Sequence, residues 1–283
     1  MCYVYHYTTT EGFKGILESG EIWATSIYCL NDWTEFEYAR KPFIDSVRAL
    51  LNNKEAADGA TLLLSYLFEK RPPLFVCSFS AAGDGDDLSQ WRAYSNPYGC
   101  AIGFEFATLL SYAGMLKFDL SRCEYGTAGI QEMAKGTAEI MGKIIQLAGG
   151  VKSFHSQYPF GDPLSEAILK VVARYKNDGY SAEQESRLVY HLQTGDRETF
   201  RTSHGKLVPY VALSLRNDKD WTKSFVEELW KEAKIVMSPR RPEKAQAERE
   251  ALAAFLESQL RKHGLPTDCA GSIRVSQVPY DPE

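Results

Sequence analysis

Three short segments of this 283-residue chain hold side chains that could do chemistry together. The first is Tyr5-His6-Tyr7-Thr8. The second is Ser78-Phe79-Ser80, followed after a loop by Trp91, Arg92 and Tyr94. The third is Glu183-Gln184-Glu185-Ser186-Arg187. Side chains alternate along an extended segment, so Glu183 and Glu185 are expected on one side, able to face one cleft. Ser78 and Ser80 share a side in the same way, and a serine hydroxyl can bond a carboxylate and fix its rotamer. A histidine such as His6 can give one ring nitrogen to a ligand hydroxyl while the backbone holds the other. Tyr94 offers a ring on which a planar group can stack.

Each of these residues also has a plainer explanation. His6 lies between aromatics, where a hydrogen-bonded structural histidine is common. Ser78 and Ser80 fit the polar side of an edge strand. Trp91, after a short turn, fits a packing anchor, and Arg92 a solvated surface. Glu183 and Glu185 fit a solvated strand face, and Arg187, two residues on, offers Glu185 an ion pair. Asn31, Asp32 and Glu35 fit a capped helix start. His155, His191, His204 and His263 make no metal-ligand spacing, so no metal site is predicted. The cysteines at 2, 29, 77, 100, 123 and 269 include no CxxC pair and are expected to be free thiols. Gly83 and Gly85 give a flexible loop without a phosphate-binding fingerprint.

The elements that must position these residues follow from pattern. Aromatic and β-branched residues predict a strand over 3–7. Thr8 with Glu11 predicts a cap for a helix carrying Phe13, Ile16 and Leu17, stopped at Gly20. A short strand follows at 22–25, then a helix capped by Asn31 and Asp32 and ending near Pro42. Helical periodicity over 43–70 breaks around Asp58-Gly59. Strands are expected at 74–80, 100–106, 186–191 and 207–213, a loop at 81–87 and a short helix or turn at 89–94. Helical patterns cover 130–148 and 164–176. The stretch 228–237 ends in a strand-like Ile-Val-Met. A long helix over 243–263 carries Leu252, Phe255, Leu256 and Leu260, and a last strand lies at 275–278. Strands near both ends predict one α+β domain over 1–283.

Composition narrows the function classes. Hydrophobic residues make up 44%, enough for a sizeable core, which excludes a mostly disordered chain. Lys and Arg total 32 against 37 Asp and Glu, and a net charge of −5 does not steer the chain toward nucleic acid or anionic membrane. The first residues lack a basic stretch followed by an apolar one, so no signal peptide is expected. The best apolar run, Leu62 to Phe68, is far too short to span a bilayer. A soluble, cytoplasmic protein without membrane contact is predicted.

The order of motifs resembles an uncharacterised bacterial family, domain of unknown function 2971. The residues that carry the likeness are YHYT at 5–8, LND at 30–32 with Glu35, SFS at 78–80, and Trp91 with Tyr94. Gly99, AIGFE at 101–105, ExExR at 183–187, PY at 209–210 and VPY at 278–280 continue it. The same order is similar to the core of the ADP-ribosyltransferase superfamily. That resemblance implies a split antiparallel or mixed β-sheet with surrounding helices, and NAD as substrate. It implies His6 on the adenosine-side ribose, with Tyr7, Thr8, Ser78, Ser80, Trp91 and Tyr94 around the cofactor. Glu185 takes the catalytic place and Glu183 the auxiliary acidic one.

Those residue types suit that chemistry. Breaking the nicotinamide–ribose bond develops an oxocarbenium-like centre, which a carboxylate on the ribose side can stabilise. The implied activity is transfer of ADP-ribose to a macromolecule, protein or nucleic acid, or hydrolysis of NAD, as in a bacterial toxin or phage-defence effector. Two alternatives stay open. One is a non-catalytic module that senses a nucleotide or binds a partner. The other is a different nucleotide chemistry, such as removal of an RNA 2′-phosphate, for which the basic groups near the motifs, His6, Arg187 and Arg92, are few. The oligomeric state is not legible.

Overall fold

In a computed structural model, which describes residues 2–30, 34–70, 73–95, 98–147, 163–193, 195–203 and 205–279, the aromatic run at the start forms strand β1 (Tyr3–Thr9). Thr8 stays in that strand, opposite Cys100, so the cap of helix α1 (Thr10–Ser19) falls one residue later than Thr8. Thr9 Oγ1 accepts the Gly12 N–H at 3.1 Å. Gly20 ends α1 at φ 65°, as its position predicts, and its N–H donates to Ile16 O. Strand β2 (Glu21–Ser26) follows.

Helix α2 (Thr34–Leu50) does not stop at Pro42 but runs through it. A proline inside a helix costs about 3 kcal/mol. Here the buried face of Phe36, Ala39, Phe43, Ile44 and Val47 offsets it. The predicted break at Asp58-Gly59 also moves. It lies at 51–53, where Asn53 Oδ1 accepts the Ala56 N–H and starts α3 (Lys54–Glu69). Asp58 instead pairs with Arg48 across the two helices at 2.9 Å. Asn31, Asp32 and Tyr280, and the side chain of Glu35, lie outside the described residues.

Strand β3 (Leu74–Ser80), helix α4 (Leu88–Tyr94) and strand β4 (Gly99–Glu105) match expectation closely. Phe106 belongs to the next helix, α5 (Phe106–Met115), because Glu105 caps it by accepting the Thr108 N–H at 2.7 Å. Then come β5 (Asp119–Arg122), β6 (Glu124–Tyr125), α6 (Gly126–Leu147) and α7 (Pro163–Val172). The helical pattern expected to 176 ends at Val172, and Tyr175–Lys176 forms β7, paired in parallel with β6. The rest of the chain supplies β8 (Glu185–His191), β9 (Thr199–Ser203), β10 (Lys206–Ser214) and α8 (Lys223–Lys231). It closes with β11 (Lys234–Met237), α9 (Pro242–Lys262) and β12 (Arg274–Val275).

One mixed sheet in an α+β arrangement runs through the molecule in the order β12-β11-β4-β1-β3-β2-β10-β9, with β8 on β3 and β5 on β8. Strand β1 pairs with β4 along its whole length. Strand β3 pairs along its whole length with β8, with Ser78 opposite Arg187 and Ser80 opposite Glu185. The other edge of β3 is shared. It meets β2 at Phe75 and Val76, and β1 only at Ser80, opposite Tyr5. Among the described residues, Cys77, Ser78 and Phe79 face no strand on that edge, and there the sheet splits.

Alternation along the strands sorts the core. Phe75, Cys77 and Phe79 join α1, α5, α8 and α9 in one apolar cluster that continues beneath both halves of the sheet. Leu74 and Val76 face the other way, against α2, α3, α6 and α7. A small third cluster packs Trp91 of α4 on Tyr5 and Tyr7. Gly103 is needed there, since a Cβ would stand 2.4 Å from the Tyr5 ring. No helix among the described residues is long and apolar enough to cross a membrane.

Candidate functional site

The split between β1 and β3 opens into a cavity of about 440 Å³. Its walls come from Tyr5–Thr9 of β1, Val76–Ser80 of β3, Trp23 and Thr25 of β2, and Gly12, Gly15 and Ile16 of α1. Gln90 and Tyr94 of α4 stand at one side, and Glu183, Glu185 and Arg201 at another.

His6 spans the split. Its Nδ1 lies 3.0 Å from Ser78 O, and since a carbonyl can only accept, Nδ1 carries the proton. Burial lowers the His6 pKa, outweighing the bond to Ser78, so the ring is neutral near pH 7 and Nε2 is an acceptor. Cys77 Sγ is 3.5 Å from the same nitrogen, but burial, with the charge of Glu185 added, pushes that thiol up to about 12. Cys77 is therefore a packing residue rather than a nucleophile.

Ser78 links the histidine to the acidic segment. While its carbonyl receives His6, its hydroxyl donates to Glu185 Oε1 at 2.6 Å. Arg187 Nε donates to the same oxygen at 2.7 Å, and Lys176 Nζ contacts Oε2. Lys176 also reaches Glu183 Oε2 at 2.5 Å. Arg187 is anchored in turn on the carbonyls of Ala173 and Tyr175. Two carboxylates and two cations thus balance at the cavity wall. Burial alone would raise the Glu185 pKa, but Arg187 and Lys176 hold it below the usual carboxylate range. Glu185 is a fixed anion at neutral pH, able to stabilise positive charge and unable to serve as a general acid.

Glu183 and Glu185 do converge, though not by strand alternation. Residues 178–183 form a 3₁₀ turn, and Gln184 turns the chain with φ 44°. The backbone of this corner is pinned from β3. Ser80 Oγ donates to Glu183 O at 2.7 Å and accepts the Ala82 N–H, so its hydroxyl is occupied in holding the turn. The Glu185 N–H donates to the Tyr125 hydroxyl at 2.7 Å.

Of the residues singled out in the sequence, His6, Tyr7, Thr8, Ser78, Ser80, Tyr94, Glu183 and Glu185 all border the one cavity. Trp91 does not. It is 1% exposed, stacks edge-on to Tyr7 and donates its Nε1–H to Asp86 at 2.9 Å, so it anchors α4. Arg92 is exposed. Lys176 and Arg201 were not legible as site residues. Lys176 sits in a two-residue strand, and Arg201 in a five-residue edge strand with no buried position, so neither gives a periodic signal. No family model, curated protein or solved structure matches the chain.

Proposed function

We propose that this chain binds NAD in the cavity at the sheet split and cleaves the nicotinamide–ribose bond, transferring ADP-ribose to a macromolecule or to water. One observation carries the reading. Ser78 ties a neutral histidine and a fixed carboxylate to the same cavity, through its carbonyl and its hydroxyl respectively. The split sheet, with His6 and Ser78 on the parted strands and Glu185 on the strand paired to β3, supports an ADP-ribosyltransferase-like reading.

In this reading His6 Nε2 accepts from a ribose hydroxyl, and Tyr94 lies beside the nicotinamide. The bond from C1′ to the ring nitrogen breaks, and its electron pair leaves with nicotinamide. The positive charge left on the ribose faces Glu185, which the Ser78 bond keeps in one rotamer. The acceptor nucleophile then bonds to C1′ and releases its proton to water. Glu183, held by Lys176, sits beside the path of that acceptor.

A second reading has its own support. Both oxygens of Glu185 already have cationic partners, which weakens the field the carboxylate puts on a ligand. That favours a nucleotide-binding module without turnover. Nicotinamide release from NAD by the purified protein, with and without cell lysate, separates the two. Release lost in Glu185→Gln supports cleavage, and labelled macromolecules in lysate identify transfer. A folded protein that binds NAD and releases no nicotinamide in either condition refutes the enzyme.

A further inference from the structure

We infer that Arg201 is the anion-binding residue of the cavity and that it takes a phosphate or diphosphate group of the ligand. This rests on the nucleotide reading above and names the part of the nucleotide involved. Arg201 belongs to β9, the outermost strand on its side, yet it lines the cavity. It reaches back across β10 to β2, where Nη2 donates to Thr25 Oγ1 at 3.0 Å. Thr25 pairs with Val76. The strand that holds the guanidinium is thus the direct neighbour of β3.

Most charges around it are paired, the exposed Glu11 at the cavity wall being an exception among the described residues. Glu21 of the cavity wall is paired with Arg216 at 3.2 Å, and Glu183 and Glu185 are paired with Lys176 and Arg187. No carboxylate among the described residues pairs with Arg201. Its Nε is buried without an acceptor and Nη2 donates to Thr25, so the guanidinium keeps unused donor capacity beside the cavity it lines. The plane of the guanidinium is fixed as well. It lies 5.6 Å over the Trp23 ring, which packs against Tyr210 at 4.6 Å. A permanent cation, pre-oriented on an aromatic face and lacking a counter-ion, is built to receive a multi-oxygen anion.

The test is calorimetric titration of pyrophosphate, ADP-ribose and adenosine into the wild-type protein, Arg201→Met and Arg201→Lys, with a thermal melt to establish folding. Charge-assisted bonds are worth about 1.5–3 kcal/mol, so Arg201→Met is expected to weaken ADP-ribose roughly 10- to 100-fold. Adenosine should change less than about twofold on the same scale. Pyrophosphate binding should disappear in Arg201→Met and be partly kept by Arg201→Lys. Equal weakening of adenosine and ADP-ribose, or pyrophosphate binding that is absent or indifferent to Arg201, overturns the inference. Arg201-dependent binding of pyrophosphate with no binding of NAD, titrated beside it, would instead remove the NAD reading and leave the anion site standing.

Discussion

Replacing Lys176 with methionine tests the charge balance at the cavity wall. Methionine keeps an apolar stem of similar length but removes the cation that joins Glu183 to Glu185. Glu185 is 4% exposed, and Arg187 and Ser78 both engage Oε1, so Oε2 is left buried without its cation. Removing one partner of a buried pair costs about 3–5 kcal/mol. The lower end is expected, because Arg187 remains at 2.7 Å. At about 2–4 °C per kcal/mol for a large domain, a loss of 3 kcal/mol lowers Tm by roughly 6–12 °C. The pH dependence has a sign of its own. A carboxyl whose pKa is depressed by folding contributes stability above its unfolded pKa, and that stability is lost as pH falls through the folded value. In Lys176→Met burial is less opposed and the Glu185 pKa rises, so less stability is lost on acidification and the gap between the variant and the wild type narrows as pH falls. Urea unfolding from pH 3 to 7 of Lys176→Met, Glu183→Gln and the double variant measures both effects. A loss under about 1 kcal/mol with an unchanged acid limb would refute the buried-pair argument.

Four further outcomes are expected. Gly15 lies inside α1 at the cavity wall with no atom within 4 Å of a built Cβ. Gly15→Ala should stabilise the fold by about 0.5–1 kcal/mol in urea, while Gly15→Phe should abolish ADP-ribose binding without lowering Tm. Gly103→Ala should destabilise by about 1–3 kcal/mol, since the new methyl meets the Tyr5 ring, and a wild-type melting curve would contradict that contact. Iodoacetamide at pH 8 should label Cys2 and Cys29 in the native protein and spare Cys77, Cys100, Cys123 and Cys269, as read by peptide mass spectrometry. Because folding lowers the His6 pKa from 6.5, the wild type should lose stability as pH falls from there. The part due to His6 is at most about 1.4 kcal/mol per pH unit, and His6→Gln should remove that part from urea midpoints measured between pH 5 and 7, leaving the part due to His191, whose pKa burial also lowers.

Much of this arrangement is legible in the sequence. The aromatic and β-branched runs of β1, β3 and β8 identify themselves, and those strands supply His6, Ser78 and Glu185. The serine–carboxylate bond and the Arg187 ion pair also follow from residue types and spacing. What pattern does not carry is decided by tertiary contact. Pro42 reads as a stop, yet the apolar face of α2 outweighs its cost. Glu183 and Glu185 read as neighbours on one strand face, yet a left-handed Gln184 brings them together. Arg201 is visible only once β9, β10 and β2 are aligned, because its partner Thr25 is far away in sequence.

The split has a consequence for how the chain is made. The residues that wall the cavity sit near positions 6, 78, 185 and 201, and the β1–β4 and β3–β8 pairings each close a loop of about a hundred residues. Such long closures form late and slowly, because their entropy is lost before any contact rewards it. During synthesis the N-terminal strand and the Ser78 strand leave the ribosome well before the strands that complete the wall. A nascent chain that has not reached β8 and β9 lacks Glu185 and Arg201, so whatever chemistry needs those side chains waits for the two strands made last at the cavity wall.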